Sequence, residues 1–391
     1  MKDLRTGWFS VILNRDLKLV FASNLAGSFG DGLYSYILPY YVVTSLGAGS
    51  VEVGILYAVA NLVAASTLFA AGRLADRFDR KKIMIAGWVA WVPAPIVFAF
   101  AGNWLQMLPG MILWGFWLGG PTNTAYVATS ADKSKLASTF SVLSAAWSFG
   151  YVFSPALGGY LAGTSGMSTV FYLAFSLYAT AALILAFISS QRARIPQTCV
   201  SAEKVSFLRL LRKKKLFRLT AFFSMIMFIL MLFRPFVPQF LGEVYKYNDF
   251  EIGVLGSICF LGSAILGLGL GRIGDRWKKK HALALSLILC CSSLLLLFAS
   301  DSFPVLAVAF FVTGGSYTTW SLMGAIVSPL ADESIRARWV SVPQTFSMLS
   351  SFMAPYLGGV LYSLSPYSPF VVAVGATSVL AVLVFVKLPE E

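Results

Sequence analysis

The sequence contains a second copy of itself, displaced by about 200 positions. Gly72 to Lys82 reads GRLADRFDRKK, and a near copy, GRIGDRWKKKH, begins at Gly271. The residues that match at this offset are Gly72/Gly271, Arg73/Arg272, Asp76/Asp275 and Arg77/Arg276. A later stretch, Ala131 to Gly159, shares further residues with the segment that starts at Ala331. Whatever unit the first half folds into, the second half must fold into again.

That unit is a bundle of membrane helices. Of the 391 residues, 58% are hydrophobic and only 12% are charged, and the mean hydropathy is +0.76, far from the balance of a soluble protein. A span needs about 20 apolar residues, and breaking the chain at its charged or Gly/Pro-rich turns predicts twelve. We place them near 17–44, 51–72, 83–101, 104–129, 136–162, 167–189, 217–242, 251–271, 282–300, 303–330, 337–362 and 366–387.

The distribution of basic residues predicts how the chain crosses the membrane. The net charge is +13, and 28 of the 30 Lys and Arg residues lie in every second loop or at the termini. This follows the positive-inside rule, so we expect a multi-pass protein of the plasma (inner) membrane with both termini cytoplasmic. The same pattern argues against binding to nucleic acid. The predicted domains are 1–190, a cytoplasmic basic linker over 191–216 that includes an amphipathic helix over 204–215, and 217–391.

Six helices repeated in the same orientation form a parallel repeat, an arrangement that secondary transporters build around a central cavity. The loop motif goes further, because it resembles the signature of the major facilitator superfamily, which runs Gly, any, Leu, Ala, Asp, Arg, any, Gly, Arg, Lys. The matching residues are Gly72, Leu74, Ala75, Asp76, Arg77, Arg80 and Lys81. Asp79 stands where the family usually has glycine, which predicts a stiffer hairpin.

The resemblance implies that this loop is a conformational latch. Asp76 would bind the N-terminus of the eleventh helix, where the helix dipole stabilises a carboxylate, and the loop arginines would hold it. Asp275 would do the same against the fifth helix. The predicted latch comprises Gly72, Arg73, Asp76, Arg77, Arg80, Gly271, Arg272, Asp275 and Arg276. The alternative is that these charges only fix the topology.

The fifth helix carries a stripe of small residues, which lets membrane helices approach closely. Its run SPALGG resembles the antiporter motif of the superfamily, with a serine in place of the first glycine. The motif residues are Gly150, Ser154, Pro155, Gly158 and Gly159. Ordinary tight packing is the alternative interpretation.

Polar residues share one face of the first helix. Asn24, Ser28, Asp31 and Ser35 are spaced by four, three and four positions. An ionised carboxylate inside a span is costly, so Asp31 faces a cavity or is protonated. The segment Gly30 to Val43 also resembles the first helix of proton-coupled drug and tetracycline exporters, which implies a proton carrier. In the alternative, a polar neighbour simply neutralises Asp31.

Arg234 is the one basic residue that we place inside the bilayer. It lies opposite Ser35 in the repeat and could pair with Asp31 across the cavity, bind an anionic substrate, or extend to the outer surface. The fourth helix lacks the arginine that related drug exporters usually have, so aromatic residues are expected to line the cavity. The predicted substrate and proton site comprises Asp31, Arg234, Asn24, Ser35, Tyr34, Trp114, Trp147 and Tyr317.

The sequence therefore predicts an all-α integral membrane transporter of twelve helices, in two six-helix parallel repeats around a central cavity. We expect alternating access and proton-coupled efflux of small amphipathic compounds. The partners are a small-molecule substrate, protons and the lipid bilayer, and the chain is expected to be monomeric. No enzyme motif is present, so we expect no catalytic residues, cofactor or metal. The alternatives are uptake or facilitated transport of an organic anion or sugar, and a receptor or scaffold without transport.

Overall fold

The protein is an all-helical bundle in the part of the chain that the computed structural model describes, residues 13–132, 135–192, 213–327, 330 and 336–388. The first half contains α1 (Arg15–Ser35), α2 (Leu38–Leu46), α3 (Ser50–Arg77), α4 (Arg80–Trp91), α5 (Pro93–Phe100), α6 (Trp104–Trp114), α7 (Gly119–Ser130), α8 (Leu136–Ser165) and α9 (Met167–Ala186). The second half contains α10 (Lys214–Phe233), α11 (Val237–Glu243), α12 (Asp249–Arg276), α13 (Lys279–Ala299), α14 (Phe303–Thr313), α15 (Thr319–Val327), α16 (Arg336–Leu364) and α17 (Ser368–Lys387). The predicted amphipathic helix over 204–215 lies almost wholly outside the described residues.

The helix packing repeats in the two halves as the sequence predicts. In the first half α1 packs against α8 and α9, and in the second half α10 packs against α16 and α17. Likewise α3 contacts α6, and its counterpart α12 contacts α14. A fold built from two related bundles follows directly from the duplicated sequence.

Nine helical stretches among the described residues are long and apolar enough to cross a membrane. They correspond to nine of the twelve predicted spans. The other three, predicted at 17–44, 104–129 and 337–362, correspond to α1 with α2, α6 with α7, and α16. α1 and α16 contain too many polar residues to count among the nine apolar stretches. α6 and α7 are each too short, because the helix is interrupted between them. The count of twelve therefore stays a prediction.

Two kinds of interruption recur at positions related by the repeat. α1 ends at Ser35, and the equivalent 3₁₀ turn Arg234–Phe236 follows α10. Likewise α6 ends just before Gly115, and the equivalent 3₁₀ turn Gly314–Thr318 follows α14. At the interruptions after α1 and α10, proline lies near the start of the next helical segment, as Pro39 and Pro238. At the interruptions after α6 and α14, glycine is present. Both residue types disfavour a continuous helix.

Side chains from neighbouring helices satisfy the backbone at the α6–α7 interruption. The amide of Trp117 donates to Thr67 Oγ1 at 3.0 Å, and Trp91 Nε1 donates to the carbonyl oxygen of Phe116 at 2.7 Å. Thr67 Oγ1 also lies 3.4 Å from the carbonyl oxygen of Gly115. Non-helical backbone at membrane depth requires such partners, because lipid offers none.

The two halves meet along two seams, α3 with α16 and α8 with α12. Glycines make both seams close. A side chain at Gly54 would overlap the carbonyl of Pro355, and one at Gly253 would overlap the carbonyl of Pro155. These contacts lie toward the ends joined by the α2–α3, α8–α9 and α16–α17 turns, which we call the distal end. The end with the α3–α4 and α12–α13 turns is called the basic end.

Three hydrogen bonds join the halves in the described part of the chain, and none lies at the basic end. Asn61 Nδ2 donates to the carbonyl of Ser351 at 3.2 Å, and the amide of Ala156 donates to Ser257 Oγ at 3.0 Å. Gln239 Nε2 donates to Ser50 Oγ at 3.3 Å. Among the residues described, the halves are thus held together toward the distal end.

Candidate functional site

Asp31 is the centre of a buried hydrogen-bonded cluster. It lies on α1 and is 4% exposed. Its Oδ1 accepts from Trp114 Nε1 at 2.7 Å and from the Tyr178 hydroxyl at 2.6 Å, while Oδ2 accepts from the Tyr151 hydroxyl. These residues and Tyr34 form what we call the acid cluster. These three uncharged donors offset the cost of desolvating the carboxylate. Because none of them carries a positive charge, a proton can bind Asp31 without displacing a cation.

Aromatic rings hold these donors in place. The Tyr34 hydroxyl lies 2.9 Å from the Tyr178 hydroxyl. The Tyr34 ring packs edge-on against Phe98 and Phe171, with centroids 5.8 and 5.7 Å away. Tyr57 packs edge-on against Trp114, and its hydroxyl donates to the carbonyl of Ser35 at 3.4 Å. Edge-to-face pairs of this kind fix ring orientation as well as position.

The small residues of α8 bring Tyr151 to the carboxylate. Cβ atoms added at Gly150 and Gly158 would overlap Ser28 and the carbonyl of Leu33 on α1. Ser154 is fully buried against Gly32. The other side of the same motif packs across the seam, where Gly159 lies against the carbonyl of Asp249 and Pro155 against Gly253. The predicted antiporter-like motif therefore packs α8 onto α1 and onto the other half; whether it has a role beyond packing stays a prediction.

Arg234 lies in the second half with partners of its own. Its guanidinium donates to Ser316 Oγ at 2.9 Å and lies 3.9 Å from the centre of the Tyr317 ring. Both partners belong to the 3₁₀ turn Gly314–Thr318. Arg234 and Tyr317 also line a small internal cavity of about 20 Å³, into which Tyr36 of the first half extends. The side chain thus faces the interior, and its Nε is buried without a partner.

One of the three arrangements considered for Arg234, an ion pair with Asp31, is not formed among the described residues. Each side chain has its partners inside its own half: indole and phenol donors for Asp31, and a hydroxyl and a ring face for Arg234. Phe260 lies between them, 4.7 Å from the ring of Tyr151 and 5.4 Å from that of Tyr317. The two charged residues are therefore joined by a row of aromatic contacts instead of a salt bridge.

A second cavity, of about 260 Å³, lies next to the acid cluster inside the first half. We call it the tryptophan cavity. Residues from α1, α4, α7, α8 and α9 line it, with further residues from the α6–α7 interruption. Its lining includes the predicted site residues Asn24 and Trp147, together with Trp88, Trp91, Trp117 and Asn123. Of the predicted set, Asp31, Tyr34 and Trp114 thus form one cluster, Asn24 and Trp147 the adjoining cavity, and Arg234 and Tyr317 a separate site.

The structure does not describe the side chains of Gly72, Arg73, Asp76 and Arg77, or the first residues of α16, so the first latch lies outside the described side chains. In the second half Arg272, Asp275 and Arg276 are exposed at the basic end, and nothing lies within 4 Å of a side chain added at Gly271. No hydrogen bond joins Asp275 to the described part of α8. The latch therefore stays a prediction.

Arg80 and Asp79 bind Gln191, which follows α9, and Arg80 also binds α7. Arg80 donates to the Thr129 hydroxyl and to Gln191 Oε1, both at 2.7 Å. Asp79 Oδ1 accepts from the amides of Lys81 and Gln191 at 3.0 and 3.1 Å. Desolvation raises the pKa of Asp79, but these amides, the Ser190 hydroxyl and the charge of Lys82 together hold that pKa below its ordinary value of 3.8. Asp79, which stands where the family usually has glycine, thus caps α4 and joins the α3–α4 turn to the start of the linker by hydrogen bonds.

Sequence reasoning missed Tyr151, Tyr178 and Asn123. A carboxylate in the middle of a span requires donors, and Tyr and Trp are the donors that neighbouring helices offer at that depth. From this requirement the sequence could predict that Tyr or Trp donors surround Asp31. It could not identify which of the 16 tyrosines supply them. Tyr126, for example, donates to Asp16 at 3.0 Å at the basic end.

Three proteins of similar sequence carry names that refer to drug resistance. The chain is 24% identical to a multi-drug resistance efflux pump PmrA homolog of Lactococcus lactis over 88% of this chain and 87% of the relative. It is 23% identical to multidrug resistance protein 2 of Bacillus subtilis over 93% of both chains. It is 24% identical to the quinolone resistance protein NorA of Staphylococcus aureus over 96% of this chain and 97% of the relative.

Solved structures share the fold at low sequence identity. The nucleoside transporter NupG superposes with a TM-score of 0.78 at 16% identity, over 97% of this chain and all of NupG. The sequence model of the Major Facilitator Superfamily matches residues 20–248 and 228–391, so one match falls on each copy of the repeat. Both the repeat and the fold have the same explanation: the chain belongs to the Major Facilitator Superfamily.

Proposed function

We propose that this transporter exports small amphipathic compounds in exchange for protons, and that Asp31 carries the proton. The observation that supports this most directly is the acid cluster. A carboxylate that is buried and bonded only to uncharged donors can take up a proton without breaking a salt bridge. The names of the relatives support efflux of drug-like compounds.

Alternating access is supported by the placement of the seams. The halves pack closely toward the distal end, and no hydrogen bond between them lies at the described part of the basic end. With the basic loops in the cytoplasm, this state would be open inward, with both termini cytoplasmic and the chain in the plasma (inner) membrane. The predicted latches at the basic end would then form in the opposite state. Proton and substrate can each shift this equilibrium only by their differential affinity for the two states.

The test is proton movement in proteoliposomes that contain a pH-sensitive dye. Addition of an amphipathic substrate is expected to drive proton flux through the native chain and not through Asp31→Asn. Asp301→Asn, which changes an exposed carboxylate in a distal loop, serves as the matched control and should retain the flux. Flux that survives in Asp31→Asn would contradict the role of this residue.

A second candidate function rests on Arg234. Its guanidinium lines an internal cavity and its Nε lacks a partner, as expected of a group that binds an anion. Uptake or facilitated transport of an organic anion would then be the activity. Tracer exchange of an organic anion that is lost in Arg234→Gln, without proton flux, would favour this function over the first. A scaffold without transport would show neither signal.

A further inference from the structure

We infer that the tryptophan cavity is the substrate subsite, and that it takes uncharged, flat, fused-ring aromatic compounds that carry an N–H donor. This inference rests on the proposed function, because it names the substrate class of that transporter. The first observation is the composition of the walls. Trp88 from α4, Trp117 from the α6–α7 interruption, and Phe140 and Trp147 from α8 line one space.

The indole rings of the cavity pack edge-on against one another. Trp88 and Trp91 lie 5.5 Å apart at 80° to each other, and Trp91 and Trp117 lie 5.6 Å apart at 63°. An edge-to-face pair covers one face of one ring only, so it leaves other ring faces on which a flat occupant can stack. The volume of about 260 Å³ is at the small end for ligand pockets. A compound of a few fused rings fits these walls.

An amide pair supplies the polar contact. Asn123 Nδ2 donates to Asn24 Oδ1 at 3.4 Å, which joins α7 to α1 across the cavity. The other polar atom of the same amide, Asn123 Oδ1, is buried without a hydrogen-bond donor. A buried acceptor left unsatisfied is costly, and an N–H group on the occupant would satisfy it. The orphaned oxygen therefore selects compounds with a donor.

The inference that the substrate is uncharged follows from the absence of charged side chains among the described lining residues. Among the described residues, those that line the cavity include no Lys, Arg, His, Asp or Glu. Asp31, in the adjoining acid cluster, is not one of them, and it already accepts from Trp114, Tyr151 and Tyr178. Neither an anion nor a cation finds a countercharge in this cavity. An uncharged compound is buried there at the smallest desolvation cost.

The cavity shares a wall with the proton site. The rings of Trp88 and Trp91 lie 5.6 and 5.8 Å from the ring of Tyr178, which donates to Asp31. Trp88 also fills the space beside Gly27, one turn before Asp31 on α1. A compound that displaces either indole therefore acts on a donor of the carboxylate, which links its binding to the proton.

The experiment measures binding of three fluorescent probes to the purified full-length chain in nanodiscs, with empty nanodiscs correcting for partition into lipid. Carbazole is uncharged and has an N–H donor, N-methylcarbazole lacks the donor, and 10-methylacridinium is a cation. We expect carbazole to bind about tenfold more tightly than N-methylcarbazole, which is the effect of one satisfied buried acceptor. We expect it to bind more tightly than the cation as well.

Variants locate the site. Asn123→Leu should remove the preference for carbazole over its methylated form, and Trp117→Ala should weaken both carbazoles about tenfold. Trp277→Ala is the matched control, because this tryptophan is 70% exposed at the basic end, and it should bind like the native chain. Elution as a single monodisperse species shows that each variant is folded.

The outcomes separate this inference from the proposed function. Asp31→Asn should still bind carbazole while losing proton exchange. If carbazole does not bind, binds no better than the cation, or ignores both cavity substitutions, the substrate subsite is wrong, even where proton exchange with another compound persists. If carbazole binding depends on the cavity but no compound drives proton flux, the substrate subsite is supported and the proposed proton exchange is wrong.

Discussion

At the scale of single residues, the proposed exchange depends on how strongly the acid cluster stabilises the ionised form of Asp31. Each donor stabilises the ionised form by about 1.5–3 kcal/mol when the acceptor is charged. Three such donors act on one side chain, and each comes from a different helix. The proton affinity of this transporter is thus adjustable by single substitutions that leave the carboxylate in place.

Tyr178→Phe removes one donor and leaves the ring. We expect the pH midpoint of substrate-driven exchange to move upward by about one unit, because loss of a donor favours the protonated carboxyl and about 1.4 kcal/mol corresponds to one unit. The measurement is initial flux in proteoliposomes across a series of internal and external pH values. Tyr172→Phe, on the same helix but 45% exposed, should keep the native midpoint; an unchanged midpoint in Tyr178→Phe would contradict the role of the cluster.

Asp79 supplies a second test at this scale, on stability. Asp79→Ala removes a helix cap and the bond to Gln191, so we expect thermal stability at pH 7 to fall by about 1 kcal/mol. The pKa of Asp79 is lowered in the folded protein, so its contribution is present above the ordinary value of 3.8 and is lost as pH falls through the lower folded value. Unfolding in detergent at pH 7 and near pH 3 should show a larger difference at pH 7. Asp301→Ala should show it at neither.

At the scale of elements, the close approach of α8 to α1 depends on the absence of side chains. The contact is made through Gly150 and Gly158, and it also positions Tyr151. Packing and site geometry are therefore the same property here. A change that separates the two helices should damage both.

Gly158→Ala and Gly163→Ala form a matched pair on α8. An added Cβ at Gly158 would overlap the carbonyl of Leu33, whereas nothing lies within 4 Å of one at Gly163. We expect Gly158→Ala to lose about 1–3 kcal/mol of stability and much of its proton-coupled exchange. Gly163→Ala should equal or exceed native stability, since alanine favours helix. Equal melting temperatures for the two variants would mean that α8 and α1 are not in close contact.

At the scale of the whole molecule, the proposed alternating access requires two states that differ in which end of the seams is closed. Gln239 lies at the distal end and donates to Ser50 of the other half. Removing this bond should favour the state that opens there. One hydrogen bond is worth about 0.5–1.5 kcal/mol, so the ratio of states should change by about two- to tenfold.

Spin labels at the exposed distal residues Thr164 and Ser363 provide the measurement. In Gln239→Leu, the distribution of distances between the labels should shift toward longer values. Gln106→Leu is the control, because Gln106 bonds only to the nearby amide of Gly102 in its own half. An unchanged distribution in Gln239→Leu would show that this bond does not hold the distal end closed.

How far the sequence could be interpreted also depends on scale. The repeat of Gly72 at Gly271 predicts the duplicated bundle, and a carboxylate at position 31 predicts a buried acid. The donors could not be predicted, because Tyr151 and Tyr178 reach Asp31 only through helix packing that glycines on two helices permit. The choice among the three arrangements considered for Arg234 could not be made from the sequence for a similar reason. Charge alone favours a pair with Asp31, but a turn brings Ser316 and Tyr317 to the guanidinium.

In the second copy of the repeat, the position equivalent to Asp31 does not hold an acidic residue. The offset that relates Gly72 to Gly271 places Leu230 opposite Asp31, and no other carboxylate with a described side chain lies in the middle of a helix. In the proposed exchange, one carboxylate would carry one proton in each cycle, and the uncharged substrate inferred above would carry no charge in return. Each exchange then transfers one net charge, so the membrane voltage would drive transport directly, by about 2.3 kcal/mol for every 100 mV. Such a pump would slow when potassium and valinomycin abolish the voltage, even with the pH gradient intact.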